Sequence, residues 1–204
     1  MPTTILLVRH AACDHVGRRI VGRAPGVHLN SRGRAEAEAL AGALGRLPIV
    51  AVYSAPLERA WETAAVLAAP LGSPVLPAPG LDELDFGAWT GRSLDALAAE
   101  PTWQAFNEAR GSTRIPQGES MPEAVDRAMA ELARIGREHP DGVVAAVSHG
   151  DVIRGVLLHC LGMPLDHVHR LDVSPASVSA IRLYDPAPRV LTVNWTPGSP
   201  PLCL

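Results

Sequence analysis

Two histidines of the chain stand directly after apolar stretches. Arg9 and His10 follow the run ILLV at residues 5–8, and His149 follows VVAAVS. An imidazole can attack an electrophile or carry a proton near neutral pH, and the planar fork of arginine pairs with phosphate through two hydrogen bonds. Each histidine alone is typical of a solvated strand end. Arg-His together with a second histidine favours nucleophilic or acid–base chemistry on an anion.

Two further stretches carry groups of the same kind. SAPLERAWETA contributes Arg59, and LDELDFGAWTG contributes Asp82, Glu83 and Asp85. Each stretch alone has an ordinary explanation, a surface arginine on an amphipathic helix in the first case and a charged turn in the second. Taken together, the four stretches predict two histidines, two arginines and a carboxylate at one edge of one sheet.

Apolar runs that alternate with amphipathic segments indicate strands that alternate with helices. The runs ILLV, IVAVYS and GVVAAVS are continuous, as in strands buried on both faces, while SVSAIRLYD and RVLTVNW alternate as closing strands do. We predict an α/β fold, a three-layer αβα sandwich with a mainly parallel central sheet, in a single domain over residues 1–204. Ligands of such sheets bind beyond the carboxyl ends of the strands, where both histidines stand.

The chain also predicts several local details. Ser31 or Asn30 caps the first helix, and Pro56 lies in the first turn of the second helix. PVLPAP forms a short edge strand, and ESMPEAVDRAMAELARIGREH forms a long amphipathic helix. Residues 81–120 form an irregular subregion on the substrate side, with short helices around Leu94 and Trp103.

All 18 basic residues of the 204-residue chain are arginines. The absence of lysine excludes a Walker A lysine and a lysine nucleophile. The net charge of −3 argues against general binding to nucleic acid or to an anionic membrane. Three separated cysteines match neither a disulfide framework nor a zinc signature, and no stretch matches a signal peptide or a membrane span. We expect a cytoplasmic protein without a metal or cofactor.

The four stretches and two others, in this order, resemble the motifs of the histidine phosphatase superfamily (branch 1), which includes the cofactor-dependent phosphoglycerate mutases. LLVRH is similar to the family's Arg-His-Gly motif, LNSRGRAEAEALA to its first helix and SAPLERAWETA to its arginine helix. LDELDFGAWTG resembles the acid loop, PQGES precedes a long helix, and VSHGDVIR carries the second histidine. The resemblance covers nearly the whole chain. It implies a phosphoglycerate mutase-like αβα sandwich and a phosphohistidine intermediate.

Three positions depart from the family's pattern. Ala11 replaces the glycine after the first histidine, and Cys13 and Val16 stand where the family usually has threonine and asparagine. The side chain of Val16 cannot donate a hydrogen bond to phosphate. Either one phosphate donor is missing, or His15, Arg23 or a backbone amide supplies it.

The resemblance and the chemistry of phosphoryl transfer together suggest a role for each residue. Arg9 and Arg59 hold the equatorial phosphate oxygens, and His149 donates to another of them. His10 attacks phosphorus through one ring nitrogen, while its other N–H is held by an acceptor such as a backbone carbonyl. Glu83, at the family's carboxylate position, protonates the leaving group.

Other assignments in the same region stay open. Alternation along an extended loop would place Asp85 on the side of Glu83 and Asp82 opposite, which makes Asp85 the reserve acid. Gly150 and Gly22 are expected to contact the substrate. Arg23 either contacts it or is a surface arginine.

Two weaker patterns also have alternatives. HVH at residues 167–169 is either a metal site or a satisfied loop pair, and the absence of partner ligands at motif spacing favours the second. The aromatic residues Trp89, Trp103 and Phe106 either line a substrate pocket, with Arg110 or Arg114 as a second anion site, or form the small core of the subregion.

These residues favour one function over two others. The first is a metal-independent phosphomonoesterase of the histidine acid phosphatase type, which hydrolyses a small phosphorylated metabolite through a phosphohistidine on His10. The second is a phosphomutase, which the short middle of the chain disfavours. The third is a non-catalytic phosphate-binding module, which has no need of Glu83. The apolar strand RVLTVNW is the candidate surface for a homodimer.

Overall fold

A computed structural model describes residues 2–14, 17–200 and 202. Within them, six strands form one sheet in the order β3-β2-β4-β1-β5-β6. The strands β1 to β4 are parallel to one another, whereas β5 is antiparallel to β1 and β6 is antiparallel to β5. The strands are β1 (Thr3–Arg9), β2 (Ile49–Ser54), β3 (Val75–Pro77), β4 (Val143–Ser148), β5 (Val178–Leu183) and β6 (Arg189–Trp195).

The helices lie between these strands along the chain. They are α1 (Ser31–Leu44), α2 (Glu58–Ala68), α3 (Leu94–Ala98), α4 (Pro101–Glu108), α5 (Met121–Glu138) and α6 (Gly150–Cys160). The crossovers through α1 and α2 lead from β1 towards β3, whereas the crossover through α5 leads back from β3 to β4. Right-handed crossovers that run in opposite directions place their helices on opposite faces of a sheet. The predicted three-layer αβα sandwich is therefore confirmed, with α1 and α2 on one face and α5 and α6 on the other.

The central strands are buried because helices cover both faces of the sheet. Residues 5–8 of β1 and residues 144–147 of β4 are almost fully inaccessible to solvent. They pack against apolar side chains of the surrounding helices, including Leu40, Leu132 and Val156. The continuous apolar runs in the sequence therefore correspond to two-sided burial.

The helix termini test the predictions made for individual capping residues and for Pro56. Asn30, one of the two predicted caps, is the N-cap of α1, and its side chain accepts a hydrogen bond from the Gly33 N–H at 2.8 Å. Ser120 begins α5 with a complete capping box to Glu123. The prediction for Pro56 is wrong: α2 begins at Glu58 after two extended or turn residues, so the proline precedes the helix.

The subregion at residues 81–120 has its own small core. Trp89 and Phe106 are fully buried, with ring centroids 5.3 Å apart in an edge-to-face arrangement, and Trp103 packs against Trp89. Of the two alternatives for these aromatic residues, the structure supports the small core. Within the described residues, no helix is long and apolar enough to cross a membrane.

Candidate active site

Both histidines stand at the carboxyl ends of adjacent central strands. His10 follows β1 and His149 follows β4, and the two strands pair so that Arg9 lies beside Ser148. The His10 amide donates to the Ser148 carbonyl at 2.9 Å, which continues the ladder by one residue. As a result, the two imidazole rings lie 5.1 Å apart between centroids.

The orientation of the His10 ring is set by the backbone of the next residue. Nδ1 lies 2.8 Å from the carbonyl oxygen of Ala11, and a carbonyl can only accept, so Nδ1 carries the proton. Nε2 therefore keeps its lone pair. The side chain is only 4% exposed, and burial together with the positive charges of Arg59 and Arg9 lowers the pKa of His10 to about 3. The nucleophilic form is the one present at neutral pH.

Two buried arginines keep hydrogen-bond donors available beside this nitrogen. Arg59, in the first turn of α2, is 2% exposed, and its Nη2 donates to the Gly22 carbonyl at 2.8 Å. Arg9 donates from Nη1 to the Val173 carbonyl. Among the described residues, Arg59 Nη1 and Arg9 Nε have no hydrogen-bond partner. Buried donors of this kind are costly unless something binds them, and an anion would do so.

Gly150 contributes to the site by its small size. A Cβ atom at this position would lie 3.2 Å from Nε and 3.3 Å from Cζ of Arg9. Glycine lets the guanidinium of Arg9 lie against the first turn of α6. The structure therefore shows Gly150 in contact with Arg9.

His149 is the N-cap of α6 and is fully buried. Neither ring nitrogen has a hydrogen-bond partner among the described residues. Two carboxylate oxygens are near but beyond hydrogen-bond distance: Asp82 Oδ1 is 3.8 Å from Nε2, and Glu83 Oε2 is 3.8 Å from Nδ1. Burial and the charge of Arg59 hold the pKa of His149 well below its ordinary value, so the ring is neutral.

The carboxylates of the acid loop do not alternate as an extended segment would place them. Asp82 and Glu83 both face His149, whereas the carboxylate of Asp85 accepts a hydrogen bond from the Gly87 N–H at 2.9 Å. The expectation that Asp82 lies opposite Glu83 is wrong. The reason is local: Asp82 ends a short 3-10 turn and bonds the Glu83 amide, which rotates the chain there.

Glu83 has the protonation behaviour of an acid that works near neutral pH. Burial, followed by the negative charge of Asp151, raises its pKa to about 7. Burial also raises the pKa of Asp82. Asp151 itself stays ionised: burial opposes this, but ion pairs with Arg110 and Arg154 outweigh burial and lower its pKa.

One cavity of about 160 Å³ is lined by five of these residues, namely Arg9, His10, Arg59, Glu83 and Asp151, and not by the fully buried His149. Its wall combines the charged groups already described with an apolar side formed by residues of the loop after β1 and by Phe86. The lining residues are Arg9, His10, Cys13, Gly17, Arg19, Ile20, Val21, Gly22, Arg59, Glu83, Phe86 and Asp151. A cavity of this size accommodates a phosphoryl group and part of a small leaving group.

The remaining residues singled out from the sequence lie elsewhere or outside the described part. Arg23 donates from Nε to the Glu83 carbonyl at 2.7 Å and is directed at the acid loop. Arg110 is buried over the Phe106 ring, and Arg114 forms an exposed ion pair with Glu123. His15 and Val16, the positions that bear on the missing phosphate donor, lie outside the described residues.

No metal site is found at HVH or elsewhere in the described part of the chain. Residues 167–169 lie in a short 3-10 helix, Leu165–Arg170. Among residues 2–14, 17–200 and 202, no group of three or more His, Cys, Asp or Glu side chains is placed to hold a metal ion.

Comparison with known proteins identifies the family. The family model described as the histidine phosphatase superfamily (branch 1) matches residues 5–196. The chain belongs to this superfamily. The expectation of an enzyme of the histidine acid phosphatase type is therefore imprecise, and membership of branch 1 is the accurate description.

Two relatives and one solved structure show the range of proteins to which the chain is similar. Phosphoserine phosphatase 1 of Hydrogenobacter thermophilus is 27% identical over 197 residues, covering 94% of this chain and 92% of that protein. A probable phosphoglycerate mutase of Erwinia tasmaniensis is 31% identical over 180 residues, covering 87% and 83%. The native structure of a mycobacterial glucosyl-3-phosphoglycerate phosphatase has a TM-score of 0.86 and 25% identity, covering 96% of this chain and all of that one.

Other curated relatives are longer than this chain. The first of them, mycobacterial proteins 36% identical over 201 residues, are matched over 54% of their length. The chain therefore spans about half the length of these relatives.

The structure also adds residues to the site that the sequence reasoning missed. Asp151 lines the cavity two positions after His149, and this proximity in VSHGDVIR was the available signal. Thr63 of α2 holds the chain beside His10, because its Oγ1 accepts a hydrogen bond from the Ala11 N–H at 3.1 Å. Glu119 and Arg127 contact the acid loop from distant parts of the chain, and no local pattern indicates this.

Proposed function

We propose that this histidine phosphatase is a metal-independent phosphomonoesterase that hydrolyses a small phosphorylated metabolite through a phosphohistidine on His10. One observation carries the proposal: Nε2 of His10 is left unprotonated by the Nδ1 bond to the Ala11 carbonyl, and it shares a cavity with unpartnered arginine donors. Nucleophile and anion donors at one place are what phosphoryl transfer requires.

Binding places the phosphoryl group among cationic and neutral donors. Arg9 and Arg59 donate to the equatorial oxygens, and their charge offsets the negative charge that accumulates on them. The neutral ring of His149 donates one N–H to a third oxygen, since nothing else in the described structure accepts it. The cations hold the phosphorus in line with Nε2 of His10.

The first chemical step forms the N–P bond and breaks the ester P–O bond. The lone pair of His10 Nε2 attacks phosphorus, and the ester oxygen leaves with the electron pair of the broken bond. Glu83, whose pKa of about 7 keeps it largely protonated below neutral pH, gives its proton to that oxygen. The products are an alcohol, a phosphohistidine and the Glu83 carboxylate.

The second step returns the enzyme to its starting state. Glu83 now takes a proton from water as the water oxygen attacks phosphorus. The N–P bond breaks, its electron pair returns to Nε2, and inorganic phosphate leaves. The protonated Glu83 is ready for the next substrate.

The cavity limits the leaving group to a small or partly exposed one. Ile20, Val21 and Phe86 offer apolar contacts beside the charged groups. The phosphatases among the relatives act, by their names, on phosphoserine and glucosyl-3-phosphoglycerate. We place the substrate of this chain among small phosphorylated metabolites of this kind, and a panel of phosphorylated sugars, phosphoserine, phosphoglycerates and nucleotides would identify it.

The decisive experiment compares the wild type with His10→Ala. The wild type is expected to hydrolyse 4-nitrophenyl phosphate and to form an acid-labile phosphoenzyme, and His10→Ala is expected to do neither. Normal hydrolysis by His10→Ala would overturn the proposal. A phosphomutase is the competing outcome: incubation with 3-phosphoglycerate and a bisphosphate primer would then yield the isomer without free phosphate.

A further inference from the structure

Three side chains from separate parts of the chain meet behind the acid loop. Arg23 follows β1, Glu119 precedes α5, and Arg127 lies within α5. Glu119 joins the two arginines: its Oε1 accepts from Arg127 Nε at 2.7 Å, and its Oε2 accepts from Arg23 Nη2 at 3.0 Å and from Arg127 Nη2 at 2.9 Å. We call this trio the acid-loop clamp.

The clamp holds the main chain of the loop through hydrogen bonds, and Arg23 Nε also lies 3.7 Å from Oδ2 of Asp82. Arg23 Nε and Arg127 Nη2 both donate to the carbonyl oxygen of Glu83, at 2.7 and 3.0 Å. Arg127 Nη1 donates to the Gly80 carbonyl at 2.7 Å, and Glu119 Oε2 accepts the Asp85 N–H at 3.3 Å. Four hydrogen bonds therefore hold the loop on both sides of Glu83.

The carboxyl group of Glu83 has little else to direct it. Its Oε1 accepts the N–H of the adjacent Leu84 at 2.9 Å, and its Oε2 is 3.8 Å from the nearest nitrogen of His149. The direction of the side chain thus depends on where the Glu83 backbone lies. Proton transfer requires a heavy-atom separation of about 2.6–3.2 Å, so a small shift of the loop would move the acid out of reach.

Glu119 is what allows the two arginines to act on one oxygen. Two guanidinium groups that converge on one carbonyl repel one another, and a carboxylate between them offsets this repulsion. The side chain of Glu119 is 14% exposed, so solvent screens the ion pairs only weakly. Arg23 uses Nε to bind the Glu83 carbonyl and Nη2 to bind Glu119, and it does not line the cavity.

We propose that Arg23, Glu119 and Arg127 are positioning residues that aim Glu83 for proton transfer, and that Arg23 acts through the acid loop and not as a ligand of the phosphoryl group. The proposal rests on the proposed phosphatase function, in which Glu83 is the acid. It differs from a merely structural role in one respect: the effect of the clamp must pass through the Glu83 carboxyl.

The test compares leaving groups that differ in their need for a proton. The variant is Glu119→Gln, which removes the charge and one acceptor oxygen, and the control is Glu123→Gln, which alters an exposed ion pair nearby. The measured quantity is kcat/KM for O-phosphoserine, whose alkoxide needs a proton to leave, and for 4-nitrophenyl phosphate, whose phenolate does not. This constant covers the steps up to departure of the leaving group, so the later hydrolysis does not affect it.

Glu119→Gln is expected to lower kcat/KM about tenfold for phosphoserine and less than about threefold for the aryl phosphate, a part of the 10²–10⁴-fold effect of a general acid. Inhibition by inorganic phosphate should be unchanged, because Arg9 and Arg59 are untouched. In a Glu83→Gln background, Glu119→Gln should have no further effect, since the two changes act on one group. Arg127→Lys, which keeps a charge and loses the fork, should behave like Glu119→Gln and serves as the second variant if the latter does not fold.

Two results would overturn the inference. One is an equal fall in kcat/KM for both substrates. The other is a fall of the same size in the Glu83→Gln background, which would show that the clamp does not act through Glu83. Failure of the proposed function has a different signature, because hydrolysis would then survive His10→Ala whatever the clamp variants do.

Discussion

The raised pKa of Glu83 predicts how activity depends on pH. The acid must be protonated to assist the leaving group, and burial beside Asp151 raises its pKa to about 7. His10, with a pKa of about 3, is already neutral throughout the range above pH 4. Activity towards alkyl phosphates should therefore be high below pH 6 and decline above pH 7, and the decline should disappear in Glu83→Gln.

The magnitude follows from the protonated fraction. With a pKa of about 7, roughly 90% of Glu83 is protonated at pH 6 and roughly 10% at pH 8. With the ordinary pKa of a glutamate, about 4.3, only about 2% would be protonated at pH 6. A general acid contributes on the order of 10²-fold or more. The ratio of wild-type to Glu83→Gln kcat/KM should thus fall from about 100 at pH 6 to about 10 at pH 8.

The assay is the initial rate of phosphoserine hydrolysis by both proteins between pH 3.5 and 9. The substrate's own phosphate also titrates near pH 6, but it affects both proteins equally, so the ratio isolates Glu83. A ratio that stays constant from pH 6 to 9 would refute the assignment of Glu83 as the acid. A ratio that declines around pH 4.5 would show that burial does not shift its pKa.

Three further results are expected from the structure. Glu83→Gln should raise the free energy of unfolding above pH 7 and leave it unchanged below pH 4.5. The reason is that the folded state holds a proton on Glu83 more tightly than the unfolded state, and the wild type loses this stability as pH rises towards 7. Urea titrations at both pH values check the sign, and equal shifts at both would contradict it. Arg59→Lys should lower kcat/KM by roughly 10²-fold and weaken inhibition by phosphate, because lysine lacks the fork that reaches both the Gly22 carbonyl and the cavity; an unchanged inhibition constant would count against this role. Gly33→Ala should destabilise the fold by about 1–3 kcal/mol, since its Cβ atom would lie 2.0 Å from the Ala12 carbonyl oxygen, and an unchanged thermal midpoint would show that α1 can shift freely.

Much of the site is accessible from the sequence because parallel strands end at a common edge. A histidine that follows a buried strand is placed by the sheet, and β1 and β4 are neighbours, so His10 and His149 meet. Arg59 is placed in a similar way by the helix that follows β2. Asn30 as a cap is a local feature, which depends only on residues up to Gly33.

The remainder depends on contacts between residues far apart in the chain. Arg23 is directed at Glu83 by a loop whose position is set by bonds to Glu119, 96 residues later. The carboxylates of Asp82 and Asp85 are oriented by individual turn hydrogen bonds, which override simple alternation. Neither arrangement leaves a periodic trace in the sequence. The same holds for the subregion at residues 81–120, whose aromatic contacts have no periodic pattern in the sequence. We continue to predict that this subregion belongs to a single domain.

The bond between His10 Nδ1 and the Ala11 carbonyl has a consequence for evolution. In enzymes that orient a histidine with an aspartate, one substitution removes the orienting group. Here the acceptor is a main-chain oxygen, which every amino acid possesses, so a change of side chain at position 11 does not delete it. The nucleophile's tautomer therefore does not depend on the identity of side chain 11, as alanine in place of the family's glycine illustrates, although the complete burial of this position limits that side chain to a small one.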